Sequence, residues 1–137
     1  PIGSLLLGNA AFIKRAKRVR KSFGGGMRQA GYLAAAGIYA LNNNIERLKE
    51  DNDRAKYLEQ LLEKHPQIDT VLPVESNILI FKLNNQISAD LFIEKLKQNN
   101  IHALALDPQT VRFVTHLDFT DEMMEEVVDY FGKGESH

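Results

Sequence analysis

The hydrophobic pattern of this chain changes period near Pro66, and that change limits the folds that the chain can adopt. Four segments beyond this point have the short apolar pattern of strands: residues 70–74, 78–83, 101–106 and 111–115. Helical patterns follow the second and the fourth of these segments and begin at Ser88 and Thr120, two residue types that cap helices well. The order ββαββα predicts a small sheet covered by helices on one face.

The apolar spacing in these two helices selects the side chains that should face the core. In the helix from Ser88 to about residue 99, we expect Leu91, Phe92 and Leu96 to face inward. In the last helix, the residues at positions i, i+3, i+4 and i+7 are all apolar: Met124, Val127, Val128 and Phe131. The last two strands are separated by an Asp107-Pro108 turn.

The chain before Pro66 predicts one strand and three helices. Residues 2–8 are largely apolar and include flanking glycines, which favours a buried strand of a parallel sheet whose partner strands are not supplied nearby. Asn9 can cap a helix with one apolar stripe, formed by Phe12, Ala16, Val19 and Phe23. A helix over residues 31–41 is apolar all round and should be buried on most faces, and a third helix covers residues 45–64.

Charge is balanced over the chain but not along it. Residues 1–45 carry seven of the 17 Lys and Arg residues and no Asp or Glu, although the formal net charge of the chain is -1. Such asymmetry is compatible with a nucleic-acid or anionic-membrane face, or with a segment that meets a complementary surface in a larger protein. The chain begins at Pro1 without Met, so we expect it to be part of a longer protein.

The composition argues against several classes of protein: disulfide-stabilised, membrane-spanning, metal-binding and nucleotide-binding. With no Cys, the chain has no disulfide framework and no Cys-ligated metal, which fits a cytosolic protein. Its longest uncharged stretch is shorter than the roughly 20 apolar residues that a membrane-spanning helix needs. No spacing of His or carboxylate residues predicts a metal site, and the glycines match neither a Walker nor a dinucleotide-binding motif.

Three consecutive glycines, Gly24 to Gly26, separate the basic helix from the apolar one. Glycine adopts φ > 0 easily and lets other groups approach its backbone, so this stretch predicts a sharp turn. The helix beyond it presents free N–H groups next to Arg28, which is a possible anion site. By chemistry alone, a packed turn between two helices explains the same residues.

The order of residues in this stretch indicates a family more specifically than its chemistry does. Gly-Gly-Gly-Met-Arg-Gln-Ala-Gly at residues 24–31, followed by Leu-Ala-Ala-Ala-Gly-Ile-Tyr-Ala-Leu at residues 33–41, closely resembles the low-specificity threonine aldolases. Val-Arg-Phe-Val-Thr-His-Leu-Asp at residues 111–118 resembles the C-terminal signature of the same family. The resemblance covers essentially the whole chain but only the C-terminal part of the family's length.

Arg112 is the strongest candidate for a functional residue. It lies within an apolar strand, where an unpaired guanidinium is costly to bury, and alternation places it opposite Val111 and Phe113. Its planar fork suits a carboxylate, although an exposed face of an edge strand would also accommodate it. The resemblance implies that Arg112 binds the carboxylate of the amino-acid substrate. The resemblance also implies that Arg28 contacts the cofactor phosphate and that Lys21 has an auxiliary role in the active site. By chemistry alone, Lys21 is explained equally well as one more solvated residue of the basic helix.

The resemblance implies an α/β protein that is a fragment of fold type I, the aspartate-aminotransferase type. Residues 1–44 would be a remnant of the large cofactor-binding domain, with a strand and helices, and residues 45–137 a small C-terminal α+β domain. The cofactor would be pyridoxal phosphate, and the parent enzyme a cytoplasmic homotetramer built from dimers. Its reaction would be cleavage of L-threonine or L-allo-threonine to glycine and acetaldehyde.

One departure from the family concerns catalysis. In threonine aldolases the lysine that forms the Schiff base with the cofactor precedes a Pro-(Val/Ile)-Gly-Ser segment, which here is residues 1–4. The resemblance therefore places that lysine before Pro1, and we expect the 137 residues alone to lack catalysis.

Two alternatives remain. A related β-eliminating lyase that also uses pyridoxal phosphate would share the fold and differ in its products. A nucleic-acid or anionic-surface binding module would use the basic helix from Lys14 to Lys21, but that helix lacks interleaved exposed aromatics, and the rest of the chain is acidic. We therefore expect an amino-acid substrate, and neither a nucleic acid nor a membrane as partner.

Overall fold

The computed structural model of the chain describes residues 4–132, which form two compact units with the boundary between Glu46 and Arg47. The first unit contains two helices, α1 (Ala10–Ser22) and α2 (Gly31–Asn43). None of the helices in the described part of the chain is long and apolar enough to cross a membrane.

The caps of α1 follow the sequence prediction. The side chain of Asn9 accepts a hydrogen bond from the Phe12 N–H at 2.9 Å, which satisfies one of the free donors of the first turn. At the other end, the N–H groups of Gly24 and Gly25 donate to the carbonyls of Lys21 and Arg20.

The strand predicted at the start of the first unit is not formed. Residues 4–9 form no regular secondary structure, and Leu5, Leu6 and Leu7 are largely exposed; Ile2 and Gly3 lie outside the described residues. A strand needs a partner for its N–H and C=O groups, and the described part of the chain offers none here. Helix α2 forms as predicted and has no buried residue in this chain; its burial stays a prediction that needs a covering surface such as the large domain or a neighbouring subunit.

The second unit has the predicted ββαββα order after one long helix. Its helices are α3 (Leu48–Leu62), α4 (Ala89–Gln98) and α5 (Asp121–Gly132). Its strands are β1 (Ile68–Val71), β2 (Ile78–Leu83), β3 (Leu104–Asp107) and β4 (Thr110–Val114). Ser88 caps α4 by accepting from Leu91 N–H at 3.3 Å, and Thr120 accepts from Met123 N–H at the start of α5.

The four strands form an antiparallel sheet in the order β1-β2-β4-β3. Because β2 and β4 are central, each has a hydrogen-bonded neighbour on both sides. A tight turn connects β3 to β4, and in it the Asp107 carboxylate accepts from Gln109 N–H at 2.8 Å. This turn is the one predicted, although β3 begins at Leu104 rather than at residue 101.

The core lies between one face of the sheet and the three helices of the second unit. Alternate residues of the central strands point into it: Leu79, Phe81, Leu83, Val111 and Phe113. Phe92 and Leu96 are buried as predicted, whereas Leu91 is 48% exposed and its predicted inward position is wrong. Val127 and Phe131 of α5 are buried, and Met124 is partly buried against the same core.

Candidate functional site

Arg112 lies at the centre of β4, on the face of the sheet away from the helices. Its neighbours in the ladder are Ile80 of β2 and Leu104 of β3. The preceding and following residues, Val111 and Phe113, point into the core. The alternation predicted from the sequence therefore places Arg112 on the outer face of the sheet.

The side chains directly beside Arg112 in the ladder are apolar, and the exposed Lys82 lies farther along β2 on the same face. Half-buried Ile80 lies beside it, and the same strands carry exposed apolar side chains at their ends: Ile78, Leu104 and Val114. The Arg112 Nε atom is buried and has no hydrogen-bond partner among residues 4–132. A buried donor without an acceptor is unfavourable by about 1–3 kcal/mol, so this arrangement suits an external carboxylate or other anion.

The C-terminal end of β4 is held by Thr115, which is 1% exposed. Its N–H donates to the Asn77 carbonyl at 3.0 Å, and its own carbonyl accepts from Asn77 Nδ2 at 2.6 Å. The Thr115 hydroxyl donates to the main-chain carbonyl of Asp51 at 2.7 Å. Thr115 therefore ties the end of β4 both to the start of β2 and to the first turn of α3.

The Asp51 side chain is itself part of a buried ion-pair network. Its two carboxylate oxygens accept from Arg47 Nη1 and Nη2, each at 2.8 Å, and Arg54 Nη1 lies 3.8 Å away. Arg54 also donates to Asp121 at the start of α5, at 2.7 Å. The hydrogen bond with Asp51 raises the pKa of Arg47 above its usual value.

Lys21 and Arg28 flank the glycine turn of the first unit, and both are exposed.

Glycine is required in this turn for two different reasons. Gly24 has φ of 81°, a left-handed conformation, and a Cβ atom at Gly25 would lie 2.9 Å from the Arg20 carbonyl oxygen. A Cβ atom at Gly26 would lie 2.9 Å from Lys21 Nζ, so the ammonium lies directly over this backbone.

His116 forms local hydrogen bonds. Its Nδ1 accepts from the Asp118 N–H at 3.2 Å, and its carbonyl accepts from the Phe119 N–H at 2.9 Å. These contacts shape the loop between β4 and α5. Within residues 4–132, no group of three or more His, Asp or Glu residues could hold a metal ion.

A separate open groove of about 770 Å³ lies between α3 and α5. Five carboxylates line it: Asp53, Glu122, Glu125, Glu126 and Asp129. Such a surface repels an anionic substrate, so the outer face of the sheet around Arg112 is the better candidate for an amino-acid carboxylate.

Comparison with known proteins identifies the family. The sequence pattern of the family described as beta-eliminating lyase matches residues 1–86. The chain belongs to the beta-eliminating lyase family. This match includes the glycine turn with Lys21 and Arg28 and ends before β3 and β4.

The relatives that this chain matches include threonine aldolases. The chain is 46% identical over 132 residues to the low specificity L-threonine aldolase of Escherichia coli K12, and the match covers 96% of this chain. It is 35% identical over 123 residues to low-specificity L-threonine aldolase 1 of Arabidopsis thaliana, covering 88% of this chain. The matches span 38% and 34% of those relatives' own lengths. The resemblance to threonine aldolases found from the motifs is confirmed.

Solved structures show the same fold at low identity. The complex between the cystine C-S lyase C-DES and its reaction product cysteine persulfide matches with a TM-score of 0.58 at 18% identity, over 77% of this chain and 29% of that one. An ornithine aminotransferase from Plasmodium yoelii matches with a TM-score of 0.51 at 19% identity, over 64% of this chain and 25% of that one. The expected fold class, part of fold type I, is confirmed.

Sequence reasoning missed the residues that hold the end of β4. Thr115 belongs to the 111–118 motif, but its burial and its bonds to Asn77 and to Asp51 join segments that are 38 and 64 residues apart. Only the spacing of Arg47, Asp51 and Arg54, at i, i+4 and i+7 on one helix face, could have indicated a charge cluster.

Proposed function

We propose that this chain is part of a pyridoxal-phosphate-dependent threonine aldolase that cleaves L-threonine or L-allo-threonine to glycine and acetaldehyde. The observation that carries the proposal is Arg112, whose buried Nε has no partner in the described chain and which lies within the motif at residues 111–118. The names of the curated relatives support the same reaction.

In this proposal Arg112 binds the substrate carboxylate with two parallel hydrogen bonds. Those bonds orient the amino acid about its Cα, and orientation selects which bond to Cα is cleaved. The apolar side chains around Arg112 exclude water and strengthen the charge interaction.

The residues of the chain also fit the cofactor. Arg28 is an exposed guanidinium beside a glycine turn, and Lys21 supplies a second cation there, so this donor set suits a phosphate group. We assign Arg28 to the cofactor phosphate and Lys21 to an auxiliary role in the active site. When bound, pyridoxal phosphate withdraws electrons from the substrate Cα.

We further propose that residues 1–44 belong to a large cofactor-binding domain and residues 45–137 to a small C-terminal domain. The parent enzyme is proposed to be a cytoplasmic homotetramer. Sedimentation of the longer protein would test the tetramer directly.

Product analysis tests the reaction. A preparation of the longer protein is incubated with L-threonine and pyridoxal phosphate, and acetaldehyde and glycine are quantified. Arg112→Lys should raise KM for L-threonine at least about tenfold, because a point charge replaces a planar fork. Lys82→Arg, an exposed position on the adjacent strand, is the matched control and should leave KM unchanged. Equal KM values for the Arg112→Lys and unmodified proteins would contradict the assignment of Arg112.

A second candidate is a β-eliminating lyase reaction on the same fold, favoured by the family match over residues 1–86. Its products would be ammonia and a keto acid rather than glycine and an aldehyde. The same incubation therefore separates the two reactions, since ammonia release in stoichiometric amounts would contradict the aldolase proposal.

The 137 residues by themselves are proposed to lack catalysis, because the resemblance places the cofactor-attaching lysine before Pro1. The purified chain with added pyridoxal phosphate should release no acetaldehyde from L-threonine. Release that is lost in Arg112→Ala would contradict this prediction.

A further inference from the structure

We infer that Thr115 is a positioning residue that directs the Arg112 guanidinium; this inference rests on the proposed function of Arg112. Thr115 lies three positions beyond Arg112 and touches no substrate in this scheme. It acts through the end of β4, which it connects to two other elements.

Arg112 does not fix its own direction by polar contacts. Its Nε has no hydrogen-bond partner among the described residues, and its two ladder neighbours, Ile80 and Leu104, are apolar. The direction of the side chain therefore follows from the backbone of β4. A strand of five residues is short enough that the anchoring of its two ends decides how its centre is held.

The two ends of β4 are anchored differently. At Thr110 the strand continues into the tight turn to β3, where the Asp107 carboxylate holds the Gln109 N–H. At the other end the strand leads into a loop of residues 115–120, which contains a turn at residues 117–118 and no further strand. There Thr115 forms two hydrogen bonds with Asn77, and its hydroxyl bonds the Asp51 carbonyl.

The attachment point on α3 is rigid. The Asp51 carboxylate is held by Arg47 at two positions and is almost fully buried, with a side-chain exposure of 4%. Since the hydroxyl of Thr115 donates to the carbonyl of this same residue, the strand end is fixed relative to the helix layer. Loss of the hydroxyl removes the attachment of this strand end to α3 and leaves only its bonds to Asn77, so the direction of Arg112 is held less firmly.

Nuclear magnetic resonance of the 137-residue chain tests the inference without catalysis. The Arg112 Nε–H signal is assigned by its loss in Arg112→Lys. It is then followed while L-threonine is added at constant ionic strength. L-threoninol, which lacks the carboxylate, is the control ligand. In the unmodified chain we expect the signal to shift with L-threonine and not with L-threoninol.

Three variants isolate the role of Thr115. Thr115→Val keeps the side-chain shape but removes the hydroxyl donor, and should weaken the apparent affinity for L-threonine about fivefold, the factor of one net hydrogen bond. Thr115→Ser should restore it. Thr70→Val removes the hydroxyl of an exposed threonine on β1, which bonds the neighbouring Asp69, and should leave the affinity unchanged. If Thr115→Val does not fold, Asn77→Ala removes the 2.6 Å bond to Thr115 and should give the same loss.

The outcomes separate the inference from the proposal on which it rests. An unmodified chain that responds to L-threonine, with the same affinity in Thr115→Val or Asn77→Ala, would overturn the positioning role and leave Arg112 as the carboxylate site. Equal losses in Thr115→Val and Thr70→Val would also overturn it, since the loss of any threonine hydroxyl in the sheet would then suffice. No response of the unmodified chain would overturn both.

Discussion

Arg112 combines a permanent charge with surroundings that, within residues 4–132, leave its Nε without an acceptor. A group optimised for stability would have a partner within the fold, whereas a group that binds a ligand keeps its hydrogen-bonding capacity free. The stability of the unliganded chain should therefore improve when this residue is replaced.

We expect Arg112→Met to raise the free energy of unfolding by about 1 kcal/mol, because the variant removes a buried donor and keeps an apolar stem of similar length. Urea denaturation of the 137-residue chain measures the change. Lys82→Met, at an exposed position of β2 on the same face, is the control and should change stability little. A decrease in stability for Arg112→Met would show that the guanidinium is satisfied within the fold.

Asp51 and Asp53 give a comparison on one helix. Each accepts from a cation four residues earlier, Arg47 and Lys49 respectively, but the first carboxylate is 4% exposed and the second 62%. Exposed ion pairs contribute little to the free energy of folding. Removal of one partner from a buried network is destabilising, because it leaves a buried charge without compensation.

Asp51→Asn should therefore lower the free energy of unfolding by about 3 kcal/mol, and Asp53→Asn by less than about 0.5 kcal/mol. Both values come from urea denaturation at neutral pH. Losses of similar size for the two variants would contradict the importance of burial.

At the scale of elements, α3 contacts the sheet and α5 and so connects the parts of the second unit. Beyond the bonds of Asp51 and Arg54, its Glu59 accepts from the Val74 N–H at 2.8 Å and from Lys56 Nζ at 2.9 Å. These two bonds, that of Lys56 being the stronger cause, lower the pKa of Glu59 below its ordinary value of 4.5. The carboxylate form thus stabilises the connection between α3 and the segment joining β1 to β2.

This shift predicts a pH dependence. A carboxylate with a lowered pKa in the folded state stabilises the fold above the unfolded pKa, and that contribution is lost as pH falls through the folded value. Glu59→Gln should therefore cost about 1–2 kcal/mol at neutral pH and less below about pH 4. Glu63→Gln, at the exposed residue that directly follows the same helix, is the control. If Glu59→Gln and the unmodified chain still differed by the same free energy of unfolding at low pH, the charge of Glu59 could not be the cause of the difference.

Helix boundaries and the order of helices and strands along the second unit were largely predictable, because caps and periodicity are local signals. Ser88 and Thr120 accept from N–H groups three residues on, as their positions suggested. Leu91 was misplaced because helical spacing alone does not show how wide a stripe the neighbouring strands cover.

For the molecule as a whole, the two units differ in how much they bury. All the buried core residues of the described chain lie in the second unit, from Ala55 to Phe131, whereas α1 and α2 have none. Apolar burial is the main source of folding stability, so the second unit should hold the cooperative fold by itself.

Residues 47–137 expressed alone should therefore unfold cooperatively, with a midpoint within about 2 °C of the 137-residue chain. Differential scanning calorimetry of both proteins measures this. A midpoint lowered by more than about 5 °C would show that residues 1–46 contribute substantially to the stability of the core.

The sequence by itself determined the local order of elements, the alternation that puts Arg112 opposite the core, and the motifs at residues 24–41 and 111–118. These depend on residues close together in the chain. Tertiary structure decided that Arg112 Nε has no partner in the part of the chain that the structure describes, that residues 4–9 form no strand, and that Thr115, Asn77 and Asp51 meet at the end of β4. Partners far apart in sequence are brought together by packing, and burial depends on which surfaces cover a residue, so neither follows from periodicity.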